Sequence, residues 1–291
     1  KLQATLFLPV VMLALLAGFA LNMRKTGIFA CPAAYEHNQY LAYCNGASYG
    51  EYDHAAFWYD MQPEATQAAA KADVMFLGNS RMEFGFSTPL MDQWFQDHHA
   101  SFYLLGFSLW ENVTFEEPLV KKLTPKARAY VINVDNYFAE TESVPGGDLL
   151  HNRQPRPHFD AKHRWQYFHR EICSHAPQMC GTEPATYRRR DTGAWTMVGV
   201  GIMTPGPVGA ELPVDSEKVA MAARVAPSFI QSLGVPRECV LLTYVPTGQY
   251  DVATAREIAN ALGLKLYSPT LEGLQTYDGA HLALQSADRY S

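Results

Sequence analysis

The chain has 291 residues, enough for one or two domains, and 48% of them are hydrophobic, enough for a buried core. Its formal net charge is −6, with 29 acidic and 23 basic side chains. Proteins that bind nucleic acids normally present a basic surface, so this charge balance argues against a nucleic-acid partner. The one tight basic run, three arginines at 188–190, is interpreted as a solvated loop or salt-bridged turn rather than an anion site.

The first predicted element is an apolar segment near the start of the sequence. Residues 4–21 carry no charge, and with Asn22 and Met23 the segment approaches the roughly 20 residues that a membrane-spanning helix needs. A cleaved signal peptide is the alternative, although its apolar region is usually shorter, about 7–15 residues. We therefore expect a transmembrane anchor over residues 1–25, in contact with the membrane through 4–23. Basic residues flank it on both sides, so charge leaves its orientation open.

The cysteines indicate the compartment. We predict two local disulfides, Cys31–Cys44 and Cys173–Cys180, which leave Cys239 as a free thiol. Four free or metal-bound thiols are the alternative, but the Cys-x-x-Cys spacing of zinc sites is missing from the sequence, so we predict no metal. Disulfides are typical of oxidising compartments. Together with the anchor, they predict a single-pass protein of the bacterial inner membrane whose globular part lies in the periplasm.

The next part of the chain, residues 26–70, is aromatic and polar without a clear period, and we predict an extracytoplasmic tether there. From residue 71, apolar runs bounded by Gly, Pro and Asn alternate with helical stretches. Strands are predicted at 74–77, 102–105, 130–134, 240–245 and 264–267. Helices are predicted at 64–71, from Thr88-Pro89 onward, at 217–233 and at 252–262.

This alternation predicts an α/β fold over residues 71–291, a three-layer sandwich with a mostly parallel, flavodoxin-like sheet. The stretch at about 140–215 interrupts it and is interpreted as an insertion, either packed on the rim or forming a substrate-facing cap. Five of the ten histidines lie there, but their spacing does not match a helical metal pair. They are His151, His158, His163, His169 and His175.

Two segments at opposite ends of this domain carry the groups of a nucleophilic site. Ser80 directly follows the first predicted strand, where ligands bind in parallel sheets. Asp278 and His281 are three residues apart near the end of the sequence. A serine becomes a good nucleophile when a base takes its proton, and that base needs a carboxylate to hold its tautomer. We therefore predict that Ser80 and His281 lie within hydrogen-bond reach and that Asp278 contacts the other imidazole nitrogen.

The segments Gly78-Asn79-Ser80 and Asp278-Gly279-Ala280-His281 resemble the SGNH (GDSL) hydrolase superfamily, although many members carry Asp where this chain has Asn79. The resemblance covers residues 73–291 apart from the insertion. It implies an oxyanion hole formed by the amides of Ser80 and Gly106 with the side chain of Asn133 or Asn136. The third motif departs from the usual Gly-x-Asn-Asp, because Ile132 precedes Asn133 and the order Asp135-Asn136 is reversed.

The resemblance implies a membrane-tethered serine esterase or O-acyltransferase that acts on acyl esters of envelope glycans or on small esters, without a cofactor. The alternative is a non-catalytic accessory subunit that uses the SGNH-like fold as a scaffold in a larger membrane complex. In that case small residues of the anchor, such as Ala14, Ala17 and Gly18, would pack against other transmembrane subunits.

Overall fold

The computed structural model describes residues 2–36, 38–45, 49–108, 110–199 and 205–291; the side chains at 2–6, 23, 26 and 28 lie outside the described set. The strands of this part of the chain are β1 (Gln39–Cys44), β2 (Gly50–Glu51), β3 (Val74–Asn79), β4 (Phe102–Phe107), β5 (Ala129–Asn133), β6 (Ala185–Arg189), β7 (Trp195–Val198), β8 (Gly206–Pro207), β9 (Val240–Thr243), β10 (Lys265–Tyr267) and β11 (Gln275–Thr276). The helices are α1 (Leu2–Thr26), α2 (Asp53–Trp58), α3 (Pro63–Lys71), α4 (Ser80–Gly85), α5 (Thr88–Asp97), α6 (Val113–Leu123), α7 (Val144–Leu150), α8 (Arg156–His175), α9 (Ser216–Ser232), α10 (Val252–Leu262) and α11 (Leu284–Tyr290).

The chain divides into two compact units. The first comprises Lys1–Asp53, Arg156–Arg188 and Thr196–Gly201. The second comprises His54–Pro155, Arg189–Trp195 and Ile202–Ser291. Residues 54–70 group with the second unit, and about half of the predicted insertion, residues 156–188 and 196–201, groups with the segment at the start of the chain. Apolar periodicity indicates where a helix or strand lies but not which distant segment packs on it. The sequence therefore could not predict this division into units.

The second unit contains a five-stranded sheet in the order β10-β9-β5-β3-β4, and each neighbouring pair is parallel. The predicted α/β class and parallel sheet are confirmed. Numbered along the chain, the five strands lie in the order 2-1-3-4-5 of flavodoxin-like sheets, with β3 at the switch point between β4 and β5. Residues 75–79 of β3 and all of β4 are buried, as strands covered on both faces require.

Local signals set the helix ends of this unit. Asp215 begins α9 by accepting the amides of Glu217 and Lys218, both at 3.1 Å. Pro89 lies in the first turn of α5, where its missing N–H leaves no intrahelical bond unmade. Gly263 ends α10 with a left-handed φ of 59°, which suits glycine because it lacks a Cβ.

The first unit contains a four-stranded sheet in the order β2-β1-β6-β7, and it holds both predicted disulfides. Cys31–Cys44 and Cys173–Cys180 are formed, each with its Cα atoms 6.0 Å apart, so both pairings are confirmed. Cys239, in the second unit, is a free thiol. Each disulfide links residues near in sequence, and it anchors a loop to β1 or to the end of α8.

The predicted anchor is helical, as part of α1. Its described side chains from Phe7 to Leu21 are mostly exposed, and those at 4–6 and 23 lie outside the described set. No helix found among the described residues is both long enough and apolar enough to cross a membrane. The expectation of a membrane-spanning anchor thus has no support from these helices.

The arginine run at 188–190 is paired with acidic and amide side chains. Arg189 forms ion pairs with Asp92 (2.6 Å) and Asp191 (2.8 Å). Arg188 is fully buried, and its Nη2 lies 2.8 Å from a carboxylate oxygen of Asp53 in the first unit. These ion pairs agree with the interpretation of residues 188–190 as a salt-bridged segment. The pair of Arg188, however, lies in the core and not at a surface turn.

A potential group of metal ligands, His169, Cys173 and Cys180, lies in the first unit. The two cysteines are bonded to each other, so neither offers a thiolate. The Tyr35 hydroxyl donates to His169 Nδ1 at 2.9 Å, and Nε2–H donates to the Cys31 carbonyl at 3.2 Å. Both ring nitrogens are therefore used by a neutral, structural imidazole.

Burial of His169 makes the stability of the protein depend on pH. Burial lowers the pKa of His169 to about 4, against a small opposing effect of the bond to Cys31. In the unfolded chain His169 has an ordinary pKa of about 6.5. Between about pH 6.5 and pH 4 the unfolded chain therefore binds a proton at this residue and the folded chain does not. Stability due to this group is full above about pH 6.5 and is lost as the pH falls toward 4, by about 3 kcal/mol in all.

This loss is measurable by urea denaturation at pH 7 and pH 4.5, comparing the wild type with His169→Gln. Glutamine keeps a donor and an acceptor but cannot be protonated, so the variant should lose less stability on acidification. The difference between the two proteins removes the contribution of the carboxyl groups, which titrate in both. An equal loss in the two proteins would rule out His169 as the source.

Candidate functional site

Ser80 lies at the carboxyl end of the central strand β3, at the first residue of α4. The side chain of Asn79 caps this helix by accepting the amide of Arg81 at 3.0 Å. Gly78 is the last residue but one of β3, its φ is 155°, and a Cβ there would lie 3.1 Å from Met82 Cβ and 3.2 Å from Asn133 Cβ. A side chain at position 78 would therefore disturb the strand end that presents Ser80.

The structure brings Ser80, His281 and Asp278 together in the second unit. Ser80 Oγ lies 2.8 Å from His281 Nε2, although the two residues are 201 positions apart in the sequence. His281 Nδ1 lies 2.7 Å from Asp278 Oδ2. A carboxylate only accepts, so Nδ1 carries the proton and Nε2 is free to accept the Ser80 hydroxyl proton. This is the tautomer that a general base needs.

Asp278 is itself held in place by the backbone of its loop. Its Oδ1 accepts the amides of Ala280 and His281, both at 2.8 Å. Burial alone would raise the pKa of Asp278, but the bonds from the His281 ring and the Ala280 amide outweigh it and hold that pKa below its ordinary value. The carboxylate is therefore ionised at neutral pH and oriented toward the imidazole.

Two aromatic rings flank the imidazole. Tyr277 stacks on His281 with an interplanar angle of 16° and a centroid distance of 5.5 Å, and Phe84 meets the same ring edge-on at 5.1 Å. Burial, with the nearby charge of Asp278, raises the pKa of Tyr277, so its hydroxyl keeps its proton. These rings restrict rotation of His281, and the sequence did not single them out.

The predicted oxyanion donors do not all lie in one place. The Gly106 amide donates to Glu83 Oε1 at 2.8 Å rather than pointing into an open pocket. Asn136 is exposed and lines a cavity of about 170 Å³ with Lys218 and Met221. The Ser80 amide is in the first turn of α4, where N–H groups have no intrahelical acceptor.

Asn133 is the remaining predicted donor, and it is fully buried beside Gly78. Its Oδ1 accepts the Val245 amide at 3.1 Å. Its Nδ2 is buried with no hydrogen-bond partner among the described residues. Buried polar atoms are nearly always paired, so this unpaired amide, on the strand next to β3, keeps Asn133 as a candidate donor.

An ion pair next to the serine was missed by the sequence analysis. Arg81 and Asp135 are both buried and bonded to each other, joining the start of α4 to the segment after β5. The Arg81 guanidinium carbon also lies 4.5 Å from the centre of the Trp110 ring, in the segment after β4. A single basic residue directly after the serine was the available signal.

Buried acids support the strands behind the serine. Glu116 accepts the Gly78 amide at 3.3 Å and the Tyr137 hydroxyl at 2.8 Å. Burial, reinforced by the charges of Glu111 and Glu83, raises the pKa of Glu116 well above its ordinary value. Burial thus disfavours the charged form of Glu116, which binds the Gly78 amide near the end of β3. These acids lie within helical patterns that otherwise look amphipathic, so the sequence did not reveal them.

A larger apolar groove of about 630 Å³ lies at the opposite end of the sheet, lined by residues such as Val74, Ala129 and Trp94. Val74 and Ala129 are the first residues of β3 and β5, whereas Ser80 follows the last residue of β3. The groove is therefore separate from the serine site.

No family model, curated protein or solved structure matches the chain. The site must therefore be interpreted from its own geometry.

Proposed function

We propose that the second unit is a serine-dependent ester hydrolase or O-acyltransferase. The observation that carries this proposal is the continuous hydrogen-bond chain from Ser80 through His281 to Asp278. Its distances, 2.8 Å and 2.7 Å, are in the range that proton transfer and charge stabilisation require. Ser80 and His281 are 201 positions apart, so the fold rather than local sequence brings them into hydrogen-bond contact.

The chemistry follows from the placement of the protons. Ser80 Oγ attacks the acyl carbonyl carbon while His281 Nε2 takes the hydroxyl proton, and Asp278 stabilises the resulting imidazolium. The tetrahedral intermediate collapses to an acyl-serine, and His281 returns the proton to the departing alcohol. Attack by water, with His281 again as base, releases the acid; attack by a second alcohol transfers the acyl group instead.

The developing oxyanion needs donors, each worth about 3–4 kcal/mol in comparable enzymes. The Ser80 amide and Asn133 Nδ2 are the candidates that this geometry supports. The Gly106 amide is not among them, because it donates to Glu83 Oε1 at 2.8 Å.

Membership of the SGNH superfamily is part of this proposal. It is supported by the flavodoxin-like strand order, the serine after β3 and the Asp-x-x-His segment that reaches it. The two disulfides favour an oxidising compartment, which in a bacterium is the periplasm. Acyl esters of envelope glycans, or small esters, are the substrates expected there.

A second candidate function is that of a non-catalytic scaffold subunit in a larger assembly. The bond between the Gly106 amide and Glu83 favours it, because it engages the backbone donor that the superfamily would use for catalysis. Fold alone does not decide between an enzyme and a scaffold.

Covalent labelling by a fluorophosphonate separates the two candidates. The probe should attach to Ser80 of the wild type, because His281 activates that hydroxyl, and peptide mass spectrometry should locate the adduct there. Ser80→Ala should not be labelled, whereas Ser108→Ala, a change in the segment just after β4, should be labelled like the wild type. An unlabelled wild type that co-purifies in stoichiometric amounts with other subunits would contradict the enzyme proposal and favour the scaffold.

A further inference from the structure

Trp110 is exposed at the same edge of the sheet as Ser80. It lies in the segment between β4 and α6, and β4 is paired with β3 so that Phe107 is opposite Asn79. Trp110 therefore follows the end of β4 by three residues, as Ser80 follows the end of β3 by one. Its side chain is 58% exposed, although large aromatic residues usually bury most of their surface.

The backbone at Trp110 is strained. Its φ is 63°, a left-handed conformation that is a genuine outlier for a bulky residue. Such strain persists only where the surroundings enforce it, and it is concentrated at functional sites. Here the loop begins at a buried strand and ends at Asn112, which caps α6 by accepting the Thr114 amide at 2.9 Å.

Arg81 fixes the ring from one side. Its guanidinium carbon lies 4.5 Å from the ring centre, and the same guanidinium is tied to the buried Asp135. Because Arg81 directly follows Ser80, the indole is held within about one arginine side chain of the nucleophile. The Arg81 guanidinium covers one face of the indole ring. The exposed surface of Trp110 is therefore on the parts of the ring that Arg81 does not cover.

The chemistry around the ring favours a sugar over an acyl chain. An acyl chain is bound best by a concave apolar pocket. The groups that contact Trp110 are polar: the Arg81 guanidinium lies against its ring, and the Asn112 side-chain amide donates to its carbonyl at 3.4 Å. A pyranose presents a flat C–H face that stacks on an aromatic ring, and its hydroxyl rim suits polar neighbours.

We propose that Trp110 is the specificity residue of the esterase site and stacks against a pyranose ring of an O-acylated glycan whose ester lies at Ser80. This inference rests on the proposed function and narrows its two expected substrates, glycan esters and small esters, to glycan esters. The ring binds the sugar beside the scissile ester, and Arg81 and Asp135 hold the ring in position.

The first test compares two substrates, acetylated xylo-oligosaccharides and 4-nitrophenyl acetate. Trp110→Ala should lower kcat/KM on the glycan ester by about tenfold, mainly through KM, and should lower it much less on the small ester. Trp110→Phe keeps a ring over Arg81 and should retain most of the glycan activity. The matched control is Trp94→Ala, since Trp94 is 54% exposed but lines the groove at the other end of the sheet; its activities should equal the wild type. Equal losses of Trp110→Ala on both substrates would overturn the proposal and make Trp110 only a support for Arg81.

The second test needs no turnover. The indole N–H resonance of Trp110 in Ser80→Ala, assigned by its absence from Ser80→Ala/Trp110→Phe, should shift on titration with xylo-oligosaccharides, while that of Trp94 should not. No shift at millimolar sugar would overturn the inference. If the wild type proves inactive toward esters, the proposed function fails, and this titration still decides whether Trp110 binds a sugar.

Discussion

Asp278→Asn is expected to lower kcat for ester turnover by about 10⁴-fold while leaving the fold intact. In the wild type, Asp278 Oδ2 accepts the proton on His281 Nδ1, and Oδ1 accepts the amides of Ala280 and His281. An asparagine keeps its carbonyl oxygen on those two amides and turns its NH₂ group toward Nδ1. The imidazole then carries its proton on Nε2, so it can no longer accept the proton of Ser80.

The measurement is steady-state hydrolysis of 4-nitrophenyl acetate near neutral pH. Asp278 is ionised there, because its pKa lies below its ordinary value, so the wild type has its full carboxylate. Asp288→Asn is the matched control, since Asp288 is an exposed residue of α11; it should keep wild-type activity. Retention of more than about a tenth of the rate by Asp278→Asn would contradict the role of Asp278 in holding the tautomer.

Arg188→Ala is expected to destabilise the first unit by about 3–5 kcal/mol. The Arg188 side chain is fully buried, with Nε at 3.1 and 3.0 Å from the two carboxylate oxygens of Asp53 and Nη2 at 2.8 Å from Oδ2. Removing it leaves the Asp53 charge buried, with the Tyr40 hydroxyl, 2.5 Å from Oδ1, as a remaining donor. A desolvated carboxylate without its cation is strongly unfavourable.

Urea denaturation at pH 7 measures this effect. The control is Arg156→Ala, which removes an arginine of the same unit whose side chain is 58% exposed in its pair with Asp160. Exposed pairs are screened by water, so that change should alter the free energy of unfolding by less than about 1 kcal/mol. Arg188→Lys keeps the positive charge but not the forked set of donors. Its loss in the free energy of unfolding should lie between those of Arg188→Ala and Arg156→Ala. Similar small losses in all three variants would mean that the buried pair does not stabilise the unit.

The largest difference between sequence and structure concerns the long-range partners. The run of arginines at 188–190 indicated salt bridges, yet nothing in the sequence paired Arg188 with Asp53 or placed it in a core. In the same way, the glycine after Leu105 looked like an oxyanion donor, and its amide is instead bonded to Glu83. Both outcomes depend on which side chains the tertiary fold brings next to a given backbone group.

The sequence by itself determined the local features of this protein: five parallel strands, the strand end that places Ser80 after β3, the Asp278–His281 pair and two short-range disulfides. Each depends on neighbours a few residues away, through apolar periodicity, turn chemistry or the reach of one side chain. Only the tertiary structure decided that Ser80 and His281 meet at 2.8 Å, that residues 156–188 join the first unit, and that Arg81 links Asp135 to Trp110. Those contacts join segments from dozens to two hundred residues apart, and the packing that selects them leaves no periodic trace in the sequence.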